Sequence, residues 1–527
     1  MGAYLNSQTP YTLYQSESRS PYVAAGNRHL CDTSPRRFGK TIAANMISSF
    51  FQKGIDSGEL FDRLKISEAD DCQKYKNKYN VIRIDFSKMP RNCESYRQYI
   101  ERVEELLISD LREAYPDAKT SETDAIGDIL EEIFQQYHGE KFIFVLDEWD
   151  FIFHRGFITE ADKAKYVAFL SNLLKDRPYV ILSYMTGILP IAKYSSGSEL
   201  NMFAEFTMVN SPMFGTYFRH TDDEVDDLYE RQGRECEKQR KIKNVTRKGL
   251  RDWYNGYYTK SGERVYNPRS VVFALQFNNL ANYWTSSGPY DEIYYYIRNN
   301  VSDVRDDLAL MAAGESVSAK IQEYAATSMN LSTRDEIYSA MVVYGFLSYL
   351  NGKVSIPNRE LMEKFDELLM KNESLGYVYR LAKESEKMLK ATLAGDTHTM
   401  EKILELVHDT EVPLLSYNHE TELSAIVNLV YLAARDSYRV EREDKAGVGY
   451  VDFIFYPYDL TADGIILELK VDHTPEEAIQ QIKDRKYALK FVPRLAEQKK
   501  YTGKILAVGI GYEKTEKKHR CRVESLN

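Results

Sequence analysis

Long apolar runs are absent from this chain of 527 residues: nothing in it approaches the roughly 18 to 20 consecutive apolar residues that a membrane-spanning helix needs. Its first residues are polar and show no charged-then-apolar leader, so neither secretion nor membrane insertion is expected. Met1-Gly2 is followed by Asn6 where a myristoylation signal needs Ser or Thr. Cysteine is scarce. Cys31, Cys72, Cys93, Cys236 and Cys521 are widely spaced, include no C-x-x-C pair and are odd in number, which excludes a disulfide framework and predicts free thiols in a reducing cytoplasm. Positive charge is in deficit, with 69 Lys and Arg against 79 Asp and Glu and a formal net charge of -10. That balance excludes a protein that coats nucleic acid nonspecifically, and leaves only a local basic groove. Arg36, Arg37, the run from Arg234 to Lys248 and the segment Lys483 to Lys490 could supply one, although a basic run is by default a solvated face. Internal repeats and low-complexity tracts are missing as well.

What remains is ordinary globular composition, 43% hydrophobic and 28% charged, in a chain long enough for two or three domains. The 40 tyrosines are numerous; Tyr294-Tyr295-Tyr296 could stack on bases, but core or interface packing is the default reading. From about residue 29 to 190, strand-like apolar runs alternate with helical patterns at 42–53, 96–115, 123–137 and 160–175, which predicts βαβ units and a parallel sheet. Ligands of such sheets bind outside the carboxyl ends of the strands.

Two of those ends carry chemistry. Pro35-Arg36-Arg37-Phe38-Gly39-Lys40-Thr41 opens the apolar helical stretch from Ile42 to Phe51. Gly39-Lys40-Thr41 meets the rule of a phosphate-binding Walker A loop, in which backbone N–H groups cradle phosphates, the Lys reaches the terminal phosphates and the hydroxyl holds Mg²⁺. The first Gly of that pattern is replaced by Ser34. The run from Lys141 to Leu146 ends in Asp147-Glu148, the form of a Walker B strand: Asp147 is the expected Mg²⁺ holder and Glu148 the group that polarises the attacking water. Asp150 reads as a cap of the segment that follows it.

A second carboxylate set lies near the far end of the chain. In Gly464-Ile465-Ile466-Leu467-Glu468-Leu469-Lys470, Glu468 and Lys470 share one face of a strand. If the segment Tyr450-Val451-Asp452-Phe453 pairs beside it, two carboxylates and an ammonium converge, as a Mg²⁺-dependent phosphodiesterase requires. An isolated His473 beyond the strand is no ligand set.

The order of a helix from Glu422 to Ala434, a strand with Asp452, a strand with Glu468-Leu469-Lys470 and a helix with Gln481 resembles the PD-(D/E)XK nuclease superfamily. More narrowly, Gly449-Tyr450-Val451-Asp452-Phe453, Leu467-Glu468-Leu469-Lys470-Val471 and Gln481-Ile482-Lys483 are similar to the nuclease-like domain of bacterial proteins that also carry an AAA-ATPase-like domain. Pro35-Arg36-Arg37-Phe38-Gly39-Lys40-Thr41 is the form that ATPase-like family shows, and Trp253-Tyr254-Asn255-Gly256-Tyr257 and Tyr266-Asn267-Pro268-Arg269-Ser270 also resemble it. The resemblance implies an ATP site at Arg37, Phe38, Gly39, Lys40, Thr41 and Asp147, with Thr186 at the place of a γ-phosphate sensor. It implies Mg²⁺, with Mn²⁺ as a substitute at the nuclease site, held by Asp452, Glu468 and the Leu469 carbonyl, with Lys470 orienting the water and Gln481 orienting Lys470 or substrate. Glu422 matches the superfamily's helical carboxylate and reads either as a ligand or supporting base, or as an acid that stabilises its helix N-terminus. The family usually enters its phosphate loop from a strongly apolar strand. Here His29, Asp32 and the lack of a β-branched run predict a poor, short or altered central strand.

The expected architecture is α/β: a P-loop NTPase parallel sheet (1–190), a helical lid (191–300), a helical, winged-helix-like connector (301–414) with a hairpin turn at Asn351-Gly352, and a restriction-endonuclease-like α/β domain (415–527). The function expected from it is ATP binding and hydrolysis coupled to metal-dependent DNA cleavage in the cytoplasm, in a monomer or homo-oligomer. The alternative is a catalytically silent, nucleotide-switched interaction or assembly module.

Overall fold

A computed structural model describes residues 28–526, apart from 63, 70–71, 192–198, 208–218, 285–300, 322–330, 332, 407–419, 447–448 and 491–500. The chain divides into two compact units, Met1–Tyr296 with Ser318–Leu361, and Ile297–Val317 with Met362–Asn527. Tyr294-Tyr295-Tyr296 lie outside the described residues.

The first unit is built on five parallel strands, β1 (His29–Thr33), β2 (Asn80–Asp85), β3 (Phe142–Asp147), β4 (Val180–Gly187) and β5 (Ala204–Thr207), in the order β2-β3-β4-β1-β5. Helices α1 (Lys40–Phe51), α2 (Tyr96–Ala114), α3 (Ile126–Gln136) and α4 (Glu160–Leu174) fall where the sequence periodicity places them. Ser95 and Thr159 cap α2 and α4 by accepting the N–H groups of Gln98 and Asp162, which fixes where those helices start. Ala43, Ala44, Phe50 and Phe51 of α1 pack with Leu30, Ile143, Val145, Leu182 and Tyr184 of the sheet. Each large apolar side chain among them contributes about 1.5–3 kcal/mol by leaving water, and each alanine methyl about 0.8 kcal/mol, so the loop ahead of α1 is anchored firmly to the strand ends.

β1 is the short strand among the alternatives expected from the sequence, but it is a buried central strand all the same. It is short, five residues, yet it lies between β4 and β5 and is buried from Leu30 onward. Its polar residues find partners in part: His29 Nδ1 lies 2.7 Å from Ser183 Oγ, and Asp32 Oδ1 accepts from Ser34 Oγ at 2.8 Å, while Asp32 Oδ2 is buried without a hydrogen-bond partner. Burial depresses the His29 pKa to about 4, so its ring is neutral at the neutral pH where the core is packed.

After the sheet come α5 (Asp222–Lys238), α6 (Arg247–Tyr254), the hairpin β6 (Asn255–Tyr258) and β7 (Arg264–Tyr266), and α7 (Pro268–Phe277). Asn267 caps α7 through the Ser270 N–H, with Pro268 in the first turn, where a missing N–H costs nothing. Helix α8 (Arg334–Val343) leads into the hairpin β8 (Ser348–Leu350) and β9 (Lys353–Ser355), turned by Asn351 and Gly352 at φ 49° and 79°, as that dipeptide predicts. Every residue of α8 from Ile337 to Val343 is buried, so this helix offers no face to a nucleic-acid groove.

The second unit holds helices between Met362 and Glu405, then α9 (Glu420–Val430), and a mixed sheet of β10 (Tyr438–Ala446), β11 (Gly449–Pro457), β12 (Gly464–Val471), β13 (Ile505–Glu513) and β14 (Lys518–Leu526) in that order. β11 and β12 are antiparallel, whereas β12 and β13 are parallel and joined through α10 (Pro475–Asp484). Ile479 and Ile482 of α10 pack on Val451, Ile454, Ile466 and Ala507.

Candidate functional site

The loop from Ser34 to Gly39 is shaped by two left-handed residues, Arg37 at φ 71° and Gly39 at φ 85°. Gly39 is the residue before α1, and no side chain caps that helix, so its first N–H groups have no side-chain acceptor. Lys40 is buried and its ammonium donates to the carbonyls of Ser34 (2.7 Å) and Pro35 (2.9 Å). Burial pulls its pKa down, while Glu148, Asp32, Asp150 and Asp147 push it up. Thr41 is exposed at the start of the helix. The outer side of the loop is held by distant residues: the Trp284 indole N–H donates to the Arg36 carbonyl at 3.2 Å, the Arg36 guanidinium lies over Tyr344, and Phe38 meets Tyr257 edge-on. Arg219, fully buried, reaches Ser34 Oγ at 3.3 Å.

Asp147 and Thr186 come together at neighbouring strand ends, with Thr186 Oγ1 donating to Asp147 Oδ1 at 2.6 Å. Glu148 follows in a left-handed conformation, φ 56°. Burial raises its pKa, helped by Asp150 and Asp147 and opposed by Lys40 and Arg36. Asp150 does not cap the turn Phe151–His154 that follows it; its side chain accepts instead from the N–H groups of Ile188 and Leu189, beyond β4.

In the second unit the β11–β12 register pairs Phe453 with Leu467, and continuing it sets Asp452 across from Glu468. Asp452 Oδ2 accepts the Leu469 N–H at 2.7 Å. Lys470 Nζ lies 3.3 Å from Glu468 Oε1, so the two share a face as the strand periodicity predicts. Gln481 Nε2 donates to the same oxygen. The other oxygen, Oε2, is buried and has no hydrogen-bond partner. Burial, reinforced by Asp452 and opposed by Lys470, pushes the Glu468 carboxyl up to about 7. Glu422 lies on α9, but its side chain is outside the described residues. His473 is exposed and hydrogen-bonded to Glu477.

A buried carboxylate oxygen without a donor, facing a second carboxylate, suits a divalent cation, whose charge would replace the missing hydrogen bond. Among the described residues no group of three or more His, Cys, Asp or Glu side chains is gathered. Among the described side chains, Asp452 and Glu468 are the carboxylates that could hold one here.

Sequence reasoning missed Gly509 and Gly511. They pair with Glu468 and Lys470 across β12 and β13, and they seat the start of α10: a methyl at Gly509 would overlap the Pro475 carbonyl, and one at Gly511 would lie 2.8 Å from the His473 carbonyl. Two glycines two apart in an apolar strand are the signal that could have found them. Arg219 and Asp150 had no comparable signal.

The fold and its sites define an α/β ATPase-type unit followed by a nuclease-type unit. Residues 25–196 match the family described as "Predicted AAA-ATPase" and residues 421–518 match the PD-(D/E)XK nuclease superfamily. The chain carries a domain of each. A curated relative, "Uncharacterized protein in vnfD 5'region" of Azotobacter chroococcum mcd 1, is 22% identical over 269 residues, 49% of this chain and 47% of that protein. The matched stretch thus spans about half of the relative. Solved structures with some likeness include a Walker-type ATPase of Pyrococcus abyssi (TM-score 0.36, 10% identity, 67% of this chain and 95% of that one). The ORC2 protein of Aeropyrum pernix has a TM-score of 0.31 at 12% identity, covering 69% and 94% of the two chains. Among the described residues no helix is long and apolar enough to cross a membrane.

Proposed function

We propose that this protein binds and hydrolyses ATP in its first unit, and that this controls a metal-dependent DNA phosphodiesterase in its second. The observation that carries the nuclease reading is Glu468, with one oxygen taken by Lys470 and Gln481 and the other buried without a donor opposite Asp452. In this reading Asp452, Glu468 and the Leu469 carbonyl hold Mg²⁺ or Mn²⁺. When bound, the cation supplies Lewis acidity at a phosphodiester and lowers the pKa of water. Gln481 fixes the Glu468 carboxylate, and Lys470 orients the water and balances charge developing on the phosphate. In the first unit, Gly39 and the first turn of α1 cradle phosphates, Lys40 exchanges the Ser34 and Pro35 carbonyls for the terminal phosphates, Thr41 and Asp147 hold Mg²⁺, Thr186 senses the γ-phosphate and Glu148 polarises water. We place the protein in the cytoplasm.

Cleavage of single- and double-stranded DNA with Mg²⁺ or Mn²⁺, with and without ATP, tests this reading. The Glu468→Ala/Lys470→Ala variant is expected to lose about 10³-fold or more in rate. Lys40→Ala should weaken nucleotide binding about tenfold or more and slow cleavage, yet leave divalent-cation binding unchanged by calorimetry. A second reading, a catalytically silent nucleotide-switched module, draws on Lys40 being engaged by the carbonyls of its own loop. No cleavage by the wild-type protein in any of these conditions, with nucleotide binding intact, would select it.

A further inference from the structure

Asp150 is buried, stands three residues beyond Asp147 and enters the site as described so far only through its charge, which acts on Lys40 and Glu148. One of its oxygens, Oδ2, accepts two backbone N–H groups, from Ile188 at 2.9 Å and Leu189 at 2.7 Å. The other, Oδ1, is buried without a hydrogen-bond partner. His154 Nε2 lies 4.0 Å from Oδ2, so the direct hydrogen bonds to this carboxylate are those of the two backbone N–H groups. Buried carboxylates bonded in this way collect where a position has to be fixed.

The position fixed here is the end of β4. Upstream of Gly187, Thr186 donates its hydroxyl to Asp147, and its carbonyl accepts the Trp149 N–H at 2.9 Å. Downstream, Ile188 and Leu189 are held by Asp150. Gly187 itself is flat against both: a methyl there would overlap the Trp149 indole and come within 2.6 Å of Asp150 Oδ1. The Trp149 carbonyl accepts in turn from the Tyr166 hydroxyl at 2.8 Å, which ties the segment to α4. The residues from Asp147 to Asp150 and from Thr186 to Leu189 therefore form one clamp, closed at one end by Thr186 and at the other by Asp150.

We propose that Asp150 is a positioning residue for ATP hydrolysis: by bonding the turn after β4 it holds Thr186 on Asp147 and fixes the backbone from which Glu148 projects. This rests on the hydrolytic reading given above. It acts through the geometry of two hydrogen bonds and not through contact with nucleotide, whose phosphates are bound on the loop before α1. Misplacing a reacting group by about 1 Å can cost about 10²-fold in rate while leaving binding intact.

Two variants separate geometry from charge. Asp150→Asn keeps a carbonyl oxygen in place for both N–H groups and removes the charge, so kcat for ATP should stay within about threefold of wild type. Asp150→Glu keeps the charge but carries the carboxylate one methylene further, so kcat should fall about tenfold or more, with the affinity for a fluorescent ATP analogue changed by less than about threefold. Steady-state turnover and nucleotide titration, with a melting curve for each protein, provide the readouts. Asp150→Glu turning over at the wild-type rate would overturn the proposal, as would Asp150→Asn losing as much as Asp150→Glu, or affinity falling in step with kcat. A wild-type protein that binds ATP but never turns it over would defeat the hydrolytic reading itself, and this role with it.

Discussion

Gly509→Ala is expected to destabilise the second unit by about 3 kcal/mol and to disable its site from a residue that carries no functional group. The added methyl would occupy the place of the Pro475 carbonyl oxygen and lie 3.1 Å from the Ala478 side chain, so backbone on one side and a packed helix on the other oppose it. Gly509 has no positive φ, so the whole cost is steric. Relief requires α10 to lift from β13, and α10 carries Gln481 to Glu468. Lifting it breaks that bond and loosens Ala478, Ile479 and Ile482 from the core. Denaturant unfolding of the second unit should show the loss, and cleavage should fall further than stability alone explains. Gly156→Ala is the control: nothing lies within 4 Å of a methyl there, and the change should stay within about 0.5 kcal/mol. Equal stability of the two variants would refute the seating of α10 on Gly509.

Glu468→Gln is expected to stabilise the metal-free protein at alkaline pH and to do nothing for it in acid. Burial, with Asp452 alongside, pushes the Glu468 carboxyl from 4.5 to about 7 in the folded chain. A group whose folded pKa is raised binds its proton more tightly in the native state. Its contribution is complete below the unfolded value near 4.5 and is lost as pH rises through about 7. Above pH 7 the wild-type protein therefore carries a buried charge that costs on the order of 3 kcal/mol, which the neutral amide avoids. Unfolding curves in the presence of a chelator at pH 5 and pH 8 should lie close together at the lower pH and separate widely at the higher, with Glu468→Gln the more stable. Divalent cation should narrow the separation by stabilising only the wild-type protein. Curves that separate widely at pH 5 instead would show that the carboxyl is not held protonated by its surroundings.

The parts of both sites that repeat with the period of their own element were legible. Glu468 and Lys470 are two apart on a strand and share a face; Asp147 ends an unbroken apolar run and so ends a buried strand; Asn351-Gly352 turns its hairpin. β1 was legible only as a problem. A propensity argument counts His29 and Asp32 against a central strand and cannot see that Ser183, 154 positions away, bonds the His29 ring or that Ser34 bonds one of the Asp32 oxygens.

Sequence alone determined which groups stand at the strand ends and in what order, because local periodicity and the start signals of helices depend on neighbours a few residues apart. It fixed Gly39 before α1, Asp147 at the end of β3, and the Glu468-Leu469-Lys470 face. Only the tertiary structure decided what those groups meet. Asp150 bonds a turn 38 residues on, Gln481 reaches Glu468 because two glycines let α10 settle on β13, and the Glu468 proton is governed by burial and by Asp452. Hydrogen bonds and desolvation act through space, and distance in space between residues far apart in the chain is set by the packing of whole elements and not by any local pattern.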